Sequence, residues 1–105
     1  MNRLFILALL MLTLNTTKAS ALVRGADISW CTEMENDGAA FYDSNGRETD
    51  IFALIKEIGM SAVRLRVWVD PASIGYGAYS DKADVVAKAK RAHNNGLDIM
   101  IDFHY

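Results

Sequence analysis

The stretch Val63–Val69, VRLRVWV, decides the fold. In an extended chain successive side chains point to opposite faces, so Leu65, Val67 and Val69 share one side and Arg64, Arg66 and Trp68 the other. The composition is that of a buried strand, yet one face carries two guanidiniums. Burying an ion costs several kcal/mol unless it is paired. The apolar side therefore suits a layer of helices, and the arginine side requires carboxylates.

The neighbouring segments supply both. Upstream, LVRGADISW (Leu22–Trp30) has strand character, with Asp27 and Ser29 on one face and Ala26, Ile28 and Trp30 on the other. Downstream, LDIMIDFHY (Leu97–Tyr105) sets Leu97, Ile99, Ile101 and Phe103 against Asp98, Met100, Asp102 and His104. Between these strands lie two helices. Thr49 or Asp50 caps the first, in which Ile51, Leu54, Ile55 and Ile58 recur at helical spacing before Gly59. Ser80 or Asp81 caps the second, KADVVAKAKRAHNN, with Val85, Val86, Ala89 and Ala92 expected inward and Lys88, Lys90 and Arg91 outward. Gly96 ends it. Asp70-Pro71 closes the middle strand, since proline cannot continue a ladder.

The order strand, helix, strand, helix, strand implies parallel strands joined by crossovers. A (β/α) barrel and an open doubly wound sheet both satisfy it, and either would gather polar groups at the C-terminal ends of the strands. No G-x-G-x-x-G follows the first strand, so a dinucleotide site there is unsupported. The segment CTEMENDGAAFYDSNGRE after the first strand reads as a long loop, and long loops in compact domains are usually functional. About three βα units cannot close a barrel, which needs eight strands and about 250 residues. The chain also ends within strand-like sequence at Tyr105, so the expectation is the N-terminal portion of a truncated barrel over 22–105.

Residues 1–21 are of another kind. Arg3 precedes the apolar run LFILALLMLTL, and NTTKASA ends on Ala19 and Ala21, the pattern of a secretory signal peptide cleaved after Ala21. The apolar run is short of the roughly 20 residues that span a bilayer. After cleavage no membrane association is expected, and the product is secreted or periplasmic. The chain's formal net charge is −2, with Lys and Arg scattered among acids, which excludes the electrostatic footprint of a nucleic-acid binder. The single cysteine, Cys31, can form no internal disulfide; it is either buried and inert, the plainer reading, or pairs with a group outside this sequence.

Arg64, Arg66, Asp27, Asp102, His104 and Trp68 together make the candidate site. An arginine stays charged, and its bidentate bond to a carboxylate holds that acid ionised and oriented. The plainer alternative is an ion-pair network of Arg64 with Asp102 or Asp27 that does no chemistry. Trp68 is either simple packing or a flat platform for a sugar ring. Asp102 and His104 are too few for a metal set, and no metal or cofactor is expected.

GADISW, DGAAFYDSNG, AVRLRVWVDP and DIMIDFHY, in this order and spacing, resemble the start of glycoside hydrolase family 53, secreted endo-β-1,4-galactanases acting on type I arabinogalactan. The resemblance spans essentially all of the chain after the leader. It implies a (β/α)8 barrel and a retaining mechanism with two glutamates after the fourth and seventh strands, neither within these residues. In that mechanism the two carboxyls stand roughly 5 to 5.5 Å apart. Glu33, Glu35, Glu48 and Glu57 do not match either. By its place in RLRVWV, Arg66 resembles the arginine that orients the nucleophile and keeps it ionised, with Arg64 as second candidate; Asp27, Trp68, Asp102 and His104 resemble groups lining the galactan-binding cleft. Asp70 stands where the family pattern has Asn. The alternatives are a non-catalytic carbohydrate-binding barrel, a related retaining glycosidase acting on another β-glycan, and a barrel using Arg64 and Arg66 to bind phosphate.

Overall fold

A computed structural model describes residues 22–105; the signal peptide expected over 1–21 lies outside the described residues. The strands β1 (Gly25–Asp27), β4 (Ala62–Trp68) and β5 (Asp98–His104) form a three-stranded sheet in the order β1-β4-β5. Both pairings are parallel, with Asp27 opposite Arg64, Arg66 opposite Asp102 and Trp68 opposite His104. Gly25 lets β1 approach β4 closely, because a Cβ there would make a tight 3.1 Å contact with the Ala62 carbonyl oxygen.

Between β1 and β4 the chain forms a short helix α1 (Cys31–Asn36), a two-stranded hairpin β2 (Phe41–Tyr42) and β3 (Glu48–Thr49), and a helix α2 (Ile51–Glu57). A helix α3 (Lys82–Asn94) connects β4 to β5, preceded by a 3₁₀ turn at Pro71–Ile74. Gly59 and Gly96 follow α2 and α3 with φ of 94° and 69°, the left-handed conformation that ends a helix. Asp81 caps α3, its side chain accepting from the Asp84 amide. Asp50 occupies the N-cap of α2 without a side-chain cap bond, because its carboxylate is taken by Arg91.

One core lies on a single face of the sheet. Val63 and Leu65 of β4 are buried against Phe52 and Ile55 of α2, Val85 and Ala92 of α3, and Ile28, Cys31 and Leu97. Each fully buried Val, Leu or Phe contributes about 1.5–3 kcal/mol of transfer free energy. Both crossover helices therefore lie on the Val63/Leu65 face, and among the described residues no helix covers the Arg64/Arg66 face. Successive right-handed crossovers in one direction give this placement in a barrel and in one half of a doubly wound sheet alike. By its superposition on the solved structures described below, the chain is the first part of a (β/α)8 barrel, about three βα units.

Four expectations from the sequence are corrected. The first strand is shorter than Leu22–Trp30, since Ser29 and Trp30 already lie in a turn. The long loop contains α1 and the hairpin, whose turn is built by Asp43 accepting from the amides of Asn45 and Arg47 with Gly46 at φ 75°. Val69 is exposed, lying past the strand end, where the sheet no longer holds it against the helices. Lys88 faces inward and Val86 outward, because the Lys88 ammonium finds partners beneath the sheet edge.

Candidate active site

The polar face of the sheet is organised around Arg64. Its Nη1 donates to Asp27 Oδ2 at 3.2 Å and its Nη2 to Asp102 Oδ2, so one guanidinium joins β1 to β5 across β4. This is the closed ion-pair network anticipated for Arg64, and it takes both ends of the guanidinium fork. Asp102 Oδ2 also lies 2.8 Å from His104 Nε2.

Arg66 is held differently. Its amide and its Nε donate to Ser29 Oγ at 2.8 and 3.4 Å, and its Nε also pairs with Asp27 Oδ2 at 3.3 Å. The guanidinium carbon lies 5.1 Å from the centroid of the Trp30 ring, a cation–π distance. Among the described residues no acceptor meets its two terminal nitrogens. They leave a planar fork of the geometry that matches a carboxylate.

The aspartates are fixed as anions. Burial pushes the Asp27 carboxyl up, but hydrogen bonds from the Ser29 hydroxyl (2.5 Å) and amide (3.0 Å), with the charges of Arg66 and Arg64, bring it below the usual carboxylate range. The Asp102 carboxyl is also lowered, first by the His104 contact and then by Arg64 against some desolvation. Neither is a proton donor near neutral pH.

An aromatic rim closes the C-terminal edge. Trp68 lies 4.6 Å from His104 and 6.3 Å from Tyr76, and Tyr76 meets Trp30 edge-on at 5.7 Å. The structure thus brings Asp27, Arg64, Arg66, Trp68, Asp102 and His104 together on one face, as the sequence pattern required. Trp30 and Tyr76 were missed. Both follow the C-terminal ends of strands, which was the available signal. Asp70 N-caps the 3₁₀ turn, its side chain accepting from the Ser73 amide at 3.4 Å.

The other acids have separate tasks. Glu35 is held by Arg91 through two bonds of 3.0 and 2.7 Å, which ties α1 to α3. Cys31 is buried, and burial pushes its thiol up, so it stays protonated. Among the described residues no group of three or more His, Cys, Asp or Glu could hold a metal ion. None of their helices is long and apolar enough to cross a membrane.

Comparison with known proteins places this geometry. The family model for glycosyl hydrolase family 53 matches residues 23–105. An endo-β-1,4-galactanase of Bacillus subtilis is 39% identical over 87 residues, covering 79% of this chain and 20% of the relative. An arabinogalactan endo-β-1,4-galactanase of Cellvibrio japonicus is 41% identical over 81 residues, covering 77% of this chain and 20% of the relative. Among solved structures, fungal β-1,4-galactanases superpose with a TM-score of 0.74 at 34% identity, covering 82% of this chain and 25% of theirs. The family 53 catalytic domain of Ignisphaera aggregans gives 0.70 at 37% identity, covering 79% and 24%. The chain thus spans only about a fifth to a quarter of the length of these relatives.

Proposed function

The chain belongs to glycosyl hydrolase family 53, and from that premise we propose that the full-length protein is a secreted endo-1,4-β-galactanase. Its substrate is the β-1,4-galactan of type I arabinogalactan, a pectin side chain, and its reaction is retaining hydrolysis with two glutamates supplied by later strands. Residues 22–105 supply the supporting half of the site, and this part alone is inactive. The leader over residues 1–21 directs export, to the periplasm or beyond the cell.

The observation that carries the reading is the contrast between the two arginines. Arg64 has both terminal nitrogens engaged, on Asp27 and Asp102, whereas Arg66 keeps its terminal fork without a partner among the described residues on the same face. A carboxylate seated there is stabilised in its charged form, the state a glycosidase nucleophile needs. The second carboxyl, kept protonated by desolvation, delivers the proton to the leaving oxygen. Trp68, with His104 against it, offers a flat apolar surface of the kind sugar rings stack on. Asp102 keeps Oδ1 as an acceptor for a sugar hydroxyl, while Asp27, engaged by Ser29, Arg64 and Arg66, borders the cleft by ordering the two arginines.

The test is hydrolysis of galactan by the full-length protein, with product size by chromatography and anomeric configuration by proton NMR. Short galacto-oligosaccharides released with the β configuration are expected. Activity confined to another β-glycan would overturn the substrate while leaving the mechanism. Binding of galactan with no hydrolysis would favour the carbohydrate-binding barrel.

A further inference from the structure

We propose that Lys88, on the helix behind the sheet, is a positioning residue for Arg66, acting through Ser29. The kinetic consequence rests on the reading of Arg66 given above; the structural consequence is independent of it.

Lys88 is 1% exposed, and its Nζ donates to the Ser29 carbonyl oxygen at 2.5 Å while pairing with Asp84 Oδ2 at 2.8 Å. Asp84 is itself fastened, accepting from the Ser80 amide at 2.7 Å and from Thr32 Oγ1 at 2.8 Å. Although burial raises the Asp84 carboxyl, the bonds from Lys88, Ser80 and Thr32 and the Lys88 charge bring it below the usual range, so Asp84 is ionised. Ser80 Oγ lies 3.3 Å from the same Ser29 carbonyl, and the Ser80 carbonyl accepts from the Trp68 amide at 2.9 Å. One buried ion pair therefore joins the turn after β1, the end of β4 and helix α3.

On the far side of the same residue the Ser29 hydroxyl donates to Asp27 Oδ1 and accepts from both the amide and Nε of Arg66. The path from the lysine ammonium to the arginine guanidinium passes through this single residue. Stability alone is a poor reason for the arrangement. A buried ion pair gains little over apolar residues of similar volume, because desolvation offsets the attraction. What an ion pair supplies and an apolar patch does not is a directed hydrogen bond that fixes where the Ser29 turn sits. Ser80 adopts φ 63°, a left-handed conformation unusual for serine, and in doing so aims its amide at Asp84 and its hydroxyl at Ser29.

The experiment uses the full-length protein with Lys88→Met combined with Asp84→Asn, which removes both charges together. Its crystal structure is expected to show Arg66 Nε parted from Ser29 Oγ. On galactan, kcat is expected to fall on the order of tenfold with KM little changed, as for a misplaced group outside the chemistry. The acid limb of kcat/KM should move up by about half a pH unit, because a nucleophile less well paired is harder to ionise. Combined with Arg66→Lys, the pair should add little beyond the arginine change alone. An unmoved Arg66 and an unmoved acid limb, with only a lower Tm, would overturn the proposal. Should the double variant not fold, Ser80→Gly serves, since glycine adopts the left-handed conformation freely and only the hydroxyl is lost. A smaller shift in the same direction is expected, and no shift counts against the proposal. If the wild-type protein does not cleave galactan, the functional reading fails, while the position of Arg66 in the variant crystal still decides this one.

Discussion

Arg64 Nη1 donates to Asp27 Oδ2 at 3.2 Å, and because the same guanidinium also holds Asp102, both terminal nitrogens of Arg64 are engaged within the sheet. Arg66, two residues on, shares Asp27 through Nε alone. The two arginines of one strand face should therefore differ in what their loss does. In the full-length protein Arg66→Lys is expected to lower kcat/KM on galactan by about 10² and to move its acid limb to higher pH. Arg64→Lys should act mainly on stability, lowering Tm with a much smaller kinetic effect. Equal kinetic losses from both changes would sink the distinction.

The depressed carboxyls set a direction for acid stability. Asp27 and Asp84 have folded-state values below their unfolded ones, so each contributes stability that is complete above the unfolded value of about 3.9 and is lost as pH falls through the lower folded value. Thermal melts of the full-length protein between about pH 5 and pH 2 should show Tm falling. Asp27→Asn should start lower at pH 5 and lose less over the same range. A parallel fall in wild type and variant would refute the assignment.

Trp68 packs against His104 with ring centroids 4.6 Å apart and lies 6.3 Å from Tyr76 at the C-terminal edge of the sheet. Trp68→Ala should raise KM for galacto-oligosaccharides more than it lowers kcat, with a binding loss of about 1 kcal/mol or more. Trp68→Phe should restore part of it. Titration calorimetry of oligosaccharide binding to each variant measures this, and unchanged affinity in Trp68→Ala would remove the residue from the binding surface.

Ile99, Ile101 and Phe103 of β5 continue the apolar row of the helix-covered face but lie open, at 37%, 38% and 69% exposure. An uncovered strand edge with an apolar face is a template for unwanted pairing. Residues 22–105 produced alone should bind a hydrophobic dye, self-associate and melt without a cooperative transition. A sharp, concentration-independent melt of a monomer would contradict this.

Much of this arrangement was legible in the chain. The period-two alternation of VRLRVWV and of LDIMIDFHY forces each strand to present one polar and one apolar face, so Asp27, Arg64, Arg66, Trp68, Asp102 and His104 had to converge once the strands were parallel neighbours. The inner turns were less legible. α1 is only six residues long, and nothing in its spacing outweighed the loop-forming Asn, Asp and Gly around it. The wrong orientation given to Lys88 has a definite origin, since amphipathic patterning treats every lysine as solvent-facing; the Asp84–Lys88 spacing of four was the signal that a partner lay on the same helix face.

Strand faces, the boundaries of α2 and α3 and the partners that the arginines require follow from local chemistry, which the sequence states by itself. Whether the helices lie on one face or two, which arginine has its terminal nitrogens engaged, and that Lys88 turns inward to hold Ser29 are matters of tertiary structure. They depend on distances between segments 37 to 59 residues apart, set by strand register and by how the core around Val63 and Leu65 packs.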